Sequence, residues 1–197
     1  MSLILASTSI YRSNLLLKTG LQFKCVKPLC DEESLKQDLV RLNKSPLEIA
    51  EFLSMAKGKS LIKKFPEATI ISGDQLVSVG HHIFGKPKNF ENAFTQLNQM
   101  NGSEHQLITA TSIFSNGQLF HNNNTTKFKM KKLKDSEIKN YLELDEPYDC
   151  AGSCKIEAHG LALFESIDCS DFSAIEGLPL IWVTNTLKGL GYELFKK

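Results

Sequence analysis

Three kinds of residue in this chain could act on a charged substrate: an acid set in an apolar run, a hydroxyl cluster ahead of a helix, and cations at the borders of helices and turns. The acid is Asp74, in ISGDQLVSVG, Ile71 to Gly80. Asp is depleted in strands and a buried carboxylate without a partner is costly, so Asp74 is either satisfied locally or kept for use. Gly73 before it permits close backbone approach or a bulge, and bulges are common beside active sites because they re-aim a side chain. The hydroxyls are Ser7, Thr8 and Ser9 in STSIYR. They precede a helix whose first amide groups lack internal partners and carry partial positive charge, which makes a ready anion site. Ordinary capping by Ser9 is the simpler use. Arg12 adds weight to the anion, because a cation in the first helical turn opposes the dipole unless a negative charge sits between them. The Gly-x4-Gly-Lys pattern of a P-loop is missing.

Two lysines and two further clusters extend the set. Lys57 stands at the border of an apolar helix face, so its stem can lie along the core while its ammonium reaches a cleft; a solvated helix lysine is the alternative. Lys86 stands in GKP, where proline fixes the direction in which the chain leaves a hairpin. CDEE, Cys30 to Glu33, is an acidic run in an evenly charged chain. Such runs are commonly solvated, yet Mg²⁺ keeps several waters and takes one or two carboxylates from a protein, and Glu32 with Asp74 could provide them. AGSCKIEAHG, Ala151 to Gly160, carries Lys155, Glu157 and His159 among small residues and reads as a recognition loop or as a turn. The five histidines have no ligand-like spacing for zinc, and nothing local supports a Cys-His nucleophile.

The elements that must position these residues follow from the periodicity. Leu3 to Ala6 reads as a buried strand, followed by a short helix with Leu15, Leu16 and Leu17 that Gly20 stops. Ser45, Pro46 and Glu48 form a capping box opening a helix with Ile49, Leu53, Ala56 and Ser60 on one face and its end near Phe65-Pro66. Ala68 to Val79 is extended, Gly80-His81 turns, and His82 to Phe84 returns as a hairpin arm. Phe90, Phe94 and Leu97 mark a helix closed by Gly102. Leu107 to Phe114 is a strand, Lys127 to Lys131 another, and HNNNTT, His121 to Thr126, a polar loop or strand end. Asp135 caps a helix with Ile138, Tyr141 and Leu142. Glu146 to Gly160 is loop-like, Leu161 to Ile167 a strand, and Leu180 to Leu187 the last helix. Interleaved strands and helices with hairpins among them give a mixed-sheet α/β fold.

Composition sets the outer bounds. With 197 residues, 42% of them hydrophobic, the chain suits one sizeable domain with a filled core. Lys plus Arg total 23 against 22 Asp plus Glu, so no global charge favours nucleic acid or an acidic membrane surface. No segment reads as a membrane span or a signal-peptide core. The five cysteines lack the two-residue spacing of structural zinc or thioredoxin-like pairs, which fits a reducing cytoplasm.

Taken in order, these stretches resemble the Maf-like nucleotide pyrophosphatase family from Leu3 to about Gly191. LILASTSIYR is similar to the family's amino-terminal Leu-Ile-Leu-Ala-Ser-x-Ser-Pro-x-Arg, CDEE to its Asp-Glu segment, MAKGKS to its Ala-x-x-Lys-Ala helix, SGDQ to its central acidic motif and FGKP to its Gly-Lys-Pro. EPYDCAGSCKIEAHG and IEGLPL resemble its Glu-Pro-x-x-x-Ala-Gly and Val-Gly-Leu-Pro elements. The resemblance implies one Maf/ITPase-like domain over residues 1–197, a mixed twisted sheet with flanking helices and two lobes around a central cleft, commonly as a homodimer. It implies hydrolysis of a nucleoside triphosphate between the α and β phosphates with a divalent metal (Mg, Mn or Co). By position Asp74 matches the proton acceptor, and Ser7, Arg12, Glu32, Lys57 and Lys86 match the phosphate and metal environment. A triphosphate brings about four negative charges, which fixed cations and a metal would neutralise.

The specificity positions resemble the family branch that acts on 7-methyl-GTP. Gln75 stands where the pyrimidine branch has Thr, Glu157 where it has Gln, and Tyr11 where it has Arg. A ring methylated at N7 is cationic: an aromatic face at Tyr11 would attract it, and Glu157 would accept from its N1 and N2 donors. A pairing of Glu157 with Lys155 or Arg12 is the alternative. Ile10 for the family's Pro, Ser72-Gly73 for its Gly-Ser, and Cys154 for a bulky residue are departures. The rival substrates are UTP, dTTP or damaged purine triphosphates, and the rival role is a nucleotide-binding regulator of cell division without turnover.

Overall fold

The computed structural model describes residues 2–195, and among these no helix is long and apolar enough to cross a membrane. The elements run β1 (Ser2–Ala6), α1 (Ile10–Leu17), β2 (Lys24–Cys25), α2 (Glu32–Arg41), α3 (Pro46–Ile62), β3 (Ala68–Val79), β4 (His82–Phe84), α4 (Phe90–Met100), β5 (Glu104–Ser115), β6 (Gln118–Met130), α5 (Asp135–Asp145), β7 (Phe164–Asp168) and α6 (Leu180–Gly189). The sheet order is β2-β1-β3-β5-β6-β7, with β4 paired to β3. Strand β1 is parallel to β2 and β3, whereas the β3/β4 and β6/β7 pairs are antiparallel, so the sheet is mixed.

The chain divides into two compact units. The first comprises residues 1–74, 109–124 and 171–197, and the second residues 75–108 and 125–170. In the first, β1 and β3 pair in register, Ile4 opposite Ile70, Leu5 opposite Ile71 and Ala6 opposite Ser72. Because strand side chains alternate between faces, each strand divides its apolar residues between two cores. Leu3, Leu5 and Ile71 pack with Leu15 and Leu16 of α1 and Val183 and Leu187 of α6. Ile4, Ala6 and Ile70 pack with Leu61 of α3 on the other side. The same alternation puts Ser72 and Asp74 on the α3 face and Gly73 on the α1 and α6 face.

Several sequence expectations are corrected. Helix α2 was not expected, because charges surround its short apolar stripe: Leu35 and Leu39 are half-buried, none of its residues is fully buried, and Asp31 starts it by accepting from the Ser34 amide (3.1 Å). HNNNTT lies wholly inside β6, whose alternation is carried here by small polar residues, with Asn124 and Thr126 buried and their neighbours exposed. Asp135 is the first residue of α5 and not its cap; Lys134 precedes it, and its amide donates to Glu137 (2.7 Å). The expected strand from Leu161 begins at Phe164, after a short 3₁₀ turn over Gly160–Leu163. The Ser45 capping box, with Pro46 at the helix start, forms as expected.

In the second unit His105 of β5 is 7% exposed, stacked on Phe128 at 5.3 Å and beside Phe164, and its Nδ1 is buried without a partner. Burial lowers its pKa from 6.5 to about 4. The unfolded chain therefore takes up this proton near the ordinary value while the folded chain resists it. Stability is unaffected by this group above about pH 6.5 and falls as pH drops toward about 4. We expect a loss of about 2 kcal/mol between about pH 7.5 and about pH 5 from His105, and a correspondingly shallower loss in His105→Phe, measured by urea unfolding at both pH values. Equal slopes for the two proteins would remove His105 from the account.

Candidate active site

Strand β1 ends at Ala6, level with Ser72 of β3, so Ser7 and Asp74 both emerge at the carboxyl edge of parallel strands, where α/β sheets commonly take ligands. Buried Ser7 donates its amide to the Leu5 carbonyl (2.9 Å), and its Oγ accepts from the Ser9 amide (3.1 Å). Ser9 caps α1, its side chain accepting from the Arg12 amide at a long 3.5 Å.

Helix α3 supplies the cation. Ile49, Ala50, Leu53, Ser54, Lys57, Gly58 and Leu61 form its buried stripe, so Lys57 lies within the packed face and not at a solvated border. Gly58 permits the approach: a Cβ there would come within 2.5 Å of the Phe114 ring and 2.6 Å of Ser72 Oγ. A hydroxyl seam fixes the same contact, with Ser72 Oγ donating to the Ser54 carbonyl (2.7 Å) and Ser54 Oγ bonded to Ser112 Oγ (2.9 Å). Lys57 Nζ is thereby set 2.7 Å from Asp74 Oδ1 and 2.7 Å from Glu32 Oε2. Asp74 is 7% exposed, whereas the Glu32 side chain is 46% exposed in the first turn of α2. The second oxygen of Asp74, Oδ2, is buried and has no hydrogen-bond partner.

Arg12 is held from the opposite face of β3. Its Nε donates to the Gly177 carbonyl (3.0 Å), and a Cβ at Gly177 would stand 3.2 Å from Arg12 Cγ. A Cβ at Gly73 would stand 3.4 Å from Arg12 Nε and 3.3 Å from the Ala110 carbonyl. Gly73 therefore does what a bare backbone can do, admitting a guanidinium directly before the acid. Burial lowers the Arg12 pKa, and the charges of Asp74 and Glu32 oppose that shift. The structure thus brings together Ser7, Arg12, Glu32, Lys57 and Asp74 within the first unit, which also carries the half-buried Tyr11.

Glu32 and Asp74 are the pair whose chemistry suits a hard divalent cation. Both are carboxylates, both already converge on an ammonium, and Asp74 Oδ2 has spare accepting capacity. Among the described residues no group of three or more His, Cys, Asp or Glu is arranged to hold an ion, so the remaining ligands of such a cation would be water and substrate oxygens. A separate cavity of about 460 Å³ in the first unit is lined by Phe52, Ile62, Phe65, Phe114 and Leu119. It is apolar and unsuited to phosphates.

Gln75, Lys86 and Glu157 belong to the second unit. Lys86 is exposed in the loop after β4, whose Gly85 carbonyl accepts from Gln96 Nε2 (3.2 Å) and whose Pro87 carbonyl accepts from Asn92 Nδ2 (2.9 Å). Gln96 Oε1 in turn accepts from Ser153 Oγ (2.7 Å), so one α4 side chain ties the GKP loop to the AGS turn. Glu157 is exposed at the tip of the Lys155–Gly160 turn. Burial raises the Cys154 pKa, which keeps this thiol protonated and unsuited to act as a nucleophile at neutral pH. Gln96 and Ser54 escaped the sequence reading, since a polar residue on a helix carries no local mark of its distant partner.

Fold and cluster together define an α/β protein in which two cations and two carboxylates converge beside the carboxyl edge of parallel strands. The chain belongs to the Maf-like protein family, whose model matches residues 2–190. It is similar to the 7-methyl-GTP pyrophosphatase of Bdellovibrio bacteriovorus, 43% identical over 91% of this chain and 92% of the relative. It is also similar to the proteins of that name from Polaromonas sp. (38% identity, 98% and 86% covered) and Xanthomonas axonopodis pv. citri (35% identity, 98% of each).

Proposed function

We propose that this protein hydrolyses a nucleoside triphosphate at the α-β phosphoanhydride, giving a monophosphate and pyrophosphate, with 7-methyl-GTP as substrate. The observation that carries the mechanism is the divided carboxylate of Asp74, one oxygen fixed by Lys57 and the other buried without a partner. A carboxylate held in this way can orient a water through Oδ2 and accept its proton as the new bond to the α phosphorus forms and the bond to the bridging oxygen breaks. Pyrophosphate leaves with the electron pair of that bond. Arg12, Lys57 and Lys86 are assigned to the phosphates, where fixed cations stabilise the charge that develops on the leaving group, and Ser7 to the same phosphates through its hydroxyl. Glu32 and Asp74 would hold a divalent cation, which would neutralise phosphate oxygens when bound.

Tyr11, Gln75 and Glu157 are assigned to the base. The names of the relatives and the carboxylate at position 157 support a cationic purine, because a carboxylate accepts from two donors on its base-pairing edge and attracts its charge. On the cysteine pattern and the family resemblance, we place the protein in the cytoplasm as a homodimer.

The test is pyrophosphate release over a nucleotide panel with Mg²⁺, Mn²⁺ or Co²⁺. Fastest turnover of 7-methyl-GTP is expected. Faster turnover of UTP or dTTP would overturn the substrate, and nucleotide binding with no release under any of the metals would overturn the enzyme. Glu157→Gln is expected to reduce the preference for 7-methyl-GTP over UTP by at least about tenfold while sparing turnover of UTP, because a hydrogen bond to a charged group is worth about 1.5–3 kcal/mol. An unchanged ranking would mean that Glu157 does not read the base.

A further inference from the structure

The turn that carries Glu157 is not held by its own sequence alone. Gly160 donates its amide to the Lys155 carbonyl (2.9 Å), which closes the turn, and a Cβ at Gly160 would collide with that carbonyl. The Ala158 amide donates to the same carbonyl (3.2 Å) and Ile156 is buried, and further bonds to the turn come from Tyr141 and Asp145 of α5. The Tyr141 hydroxyl accepts from the Lys155 amide (3.0 Å), and Lys155 Nζ donates to the Asp145 carbonyl (3.0 Å). The Asp145 carboxylate, its side chain 1% exposed, accepts from both the amide of His159 (Oδ2, 3.0 Å) and its Nδ1 (Oδ1, 2.5 Å). One buried carboxylate therefore grips the far end of the turn through two bonds, while Tyr141 and the Asp145 carbonyl grip its near end. Two hydrogen bonds to one buried carboxylate are stronger than the contacts that hold an exposed turn of this length.

We propose that Asp145 is a positioning residue for base recognition, holding the Lys155–Gly160 turn so that Glu157 is presented in one fixed place. The proposal rests on the assignment of Glu157 to the base. Its consequence is a division of labour within the second unit: Glu157 contacts the base, and Asp145, 12 residues earlier and buried, determines where that contact is made. Fixing a recognition group in advance lowers the ordering cost paid on binding, so loss of the anchor appears in KM and not in the chemical step.

The experiment compares Asp145→Ala, Asp145→Asn and Glu157→Gln with the unaltered protein, using kcat and KM for 7-methyl-GTP and UTP and hydrogen exchange at the His159 amide. Asp145→Ala is expected to raise KM for 7-methyl-GTP about tenfold with kcat changed less than about twofold, to lower the 7-methyl-GTP to UTP ratio, and to speed exchange at His159. Asp145→Asn keeps an oxygen that can accept from the His159 amide but loses the charge that holds its Nδ1, so it should show a smaller fall in the ratio and a smaller gain in exchange. If the alanine variant does not fold, a ratio and exchange rate unchanged in Asp145→Asn while Glu157→Gln lowers the ratio would overturn the positioning role. Equal losses on both nucleotides, or a ratio unchanged in Asp145→Ala while Glu157→Gln lowers it, would overturn the positioning role and leave the base assignment standing. A ratio unchanged in Glu157→Gln would overturn the base assignment, and the positioning role with it.

Discussion

Asp74→Asn lowers the rate of pyrophosphate release from 7-methyl-GTP by at least about a hundredfold, the usual cost of removing a general base. The substitution is nearly isosteric and keeps an oxygen for Lys57, which remains paired with Glu32 in any case. The fold therefore survives, and the loss belongs to the second oxygen, which in the amide becomes a donor that cannot accept a proton from water. Steady-state kinetics beside a urea melt would separate the two effects. Near-normal turnover in a folded variant would remove Asp74 from the chemistry.

Lys57→Met has the larger effect on stability. It leaves the Asp74 carboxylate buried with no compensating ammonium, a defect that typically costs about 3–5 kcal/mol, with Arg12 near enough to hold the figure toward the lower end. Activity falls too, because nothing then fixes Asp74 Oδ1. The double variant Lys57→Met, Asp74→Asn removes both charges, and most of the lost stability should return without any return of turnover. Urea unfolding of the three variants tests this. A single variant within about 1 kcal/mol of the unaltered protein would show that the pair contributes little net energy to the fold, as surface pairs do.

The parts of this molecule that were legible in the sequence are those whose signal is local. Ala68 to Val79 was bounded correctly because a β-branched and apolar run ends in a Gly-His turn, and the start of α3 because Ser45, Pro46 and Glu48 mark it, whereas α3 ends at Ile62, short of the expected Phe65-Pro66. Helix α2 was opaque because its acidic start and the charges along its length mask a short stripe, Leu35 and Leu39, that is only half-buried. HNNNTT was opaque because its strand is imposed by its place in β6, which tertiary pairing decides and propensity does not. In the site, Asp74 stood out as an acid in an apolar run, Lys57 as a lysine at the border of an apolar helix face, and Arg12 as a cation in a first helical turn. Asp145 did not, because its partner His159 is 14 residues away and nothing between them announces the contact. The role of Gly73 was half legible: close approach was foreseen, but that Arg12 is what approaches depends on Gly177 and on α1 reaching the same strand.

The absence of any buried side chain in α2 has one more consequence. An element whose apolar contact is limited to the half-buried Leu35 and Leu39 gains less grip from solvent exclusion than its neighbours, and the ion pair from Glu32 to Lys57 adds to it. Its attachment therefore depends on ionic strength in a way that the rest of the first unit does not, so brine should loosen this segment first while the sheet beneath stays closed.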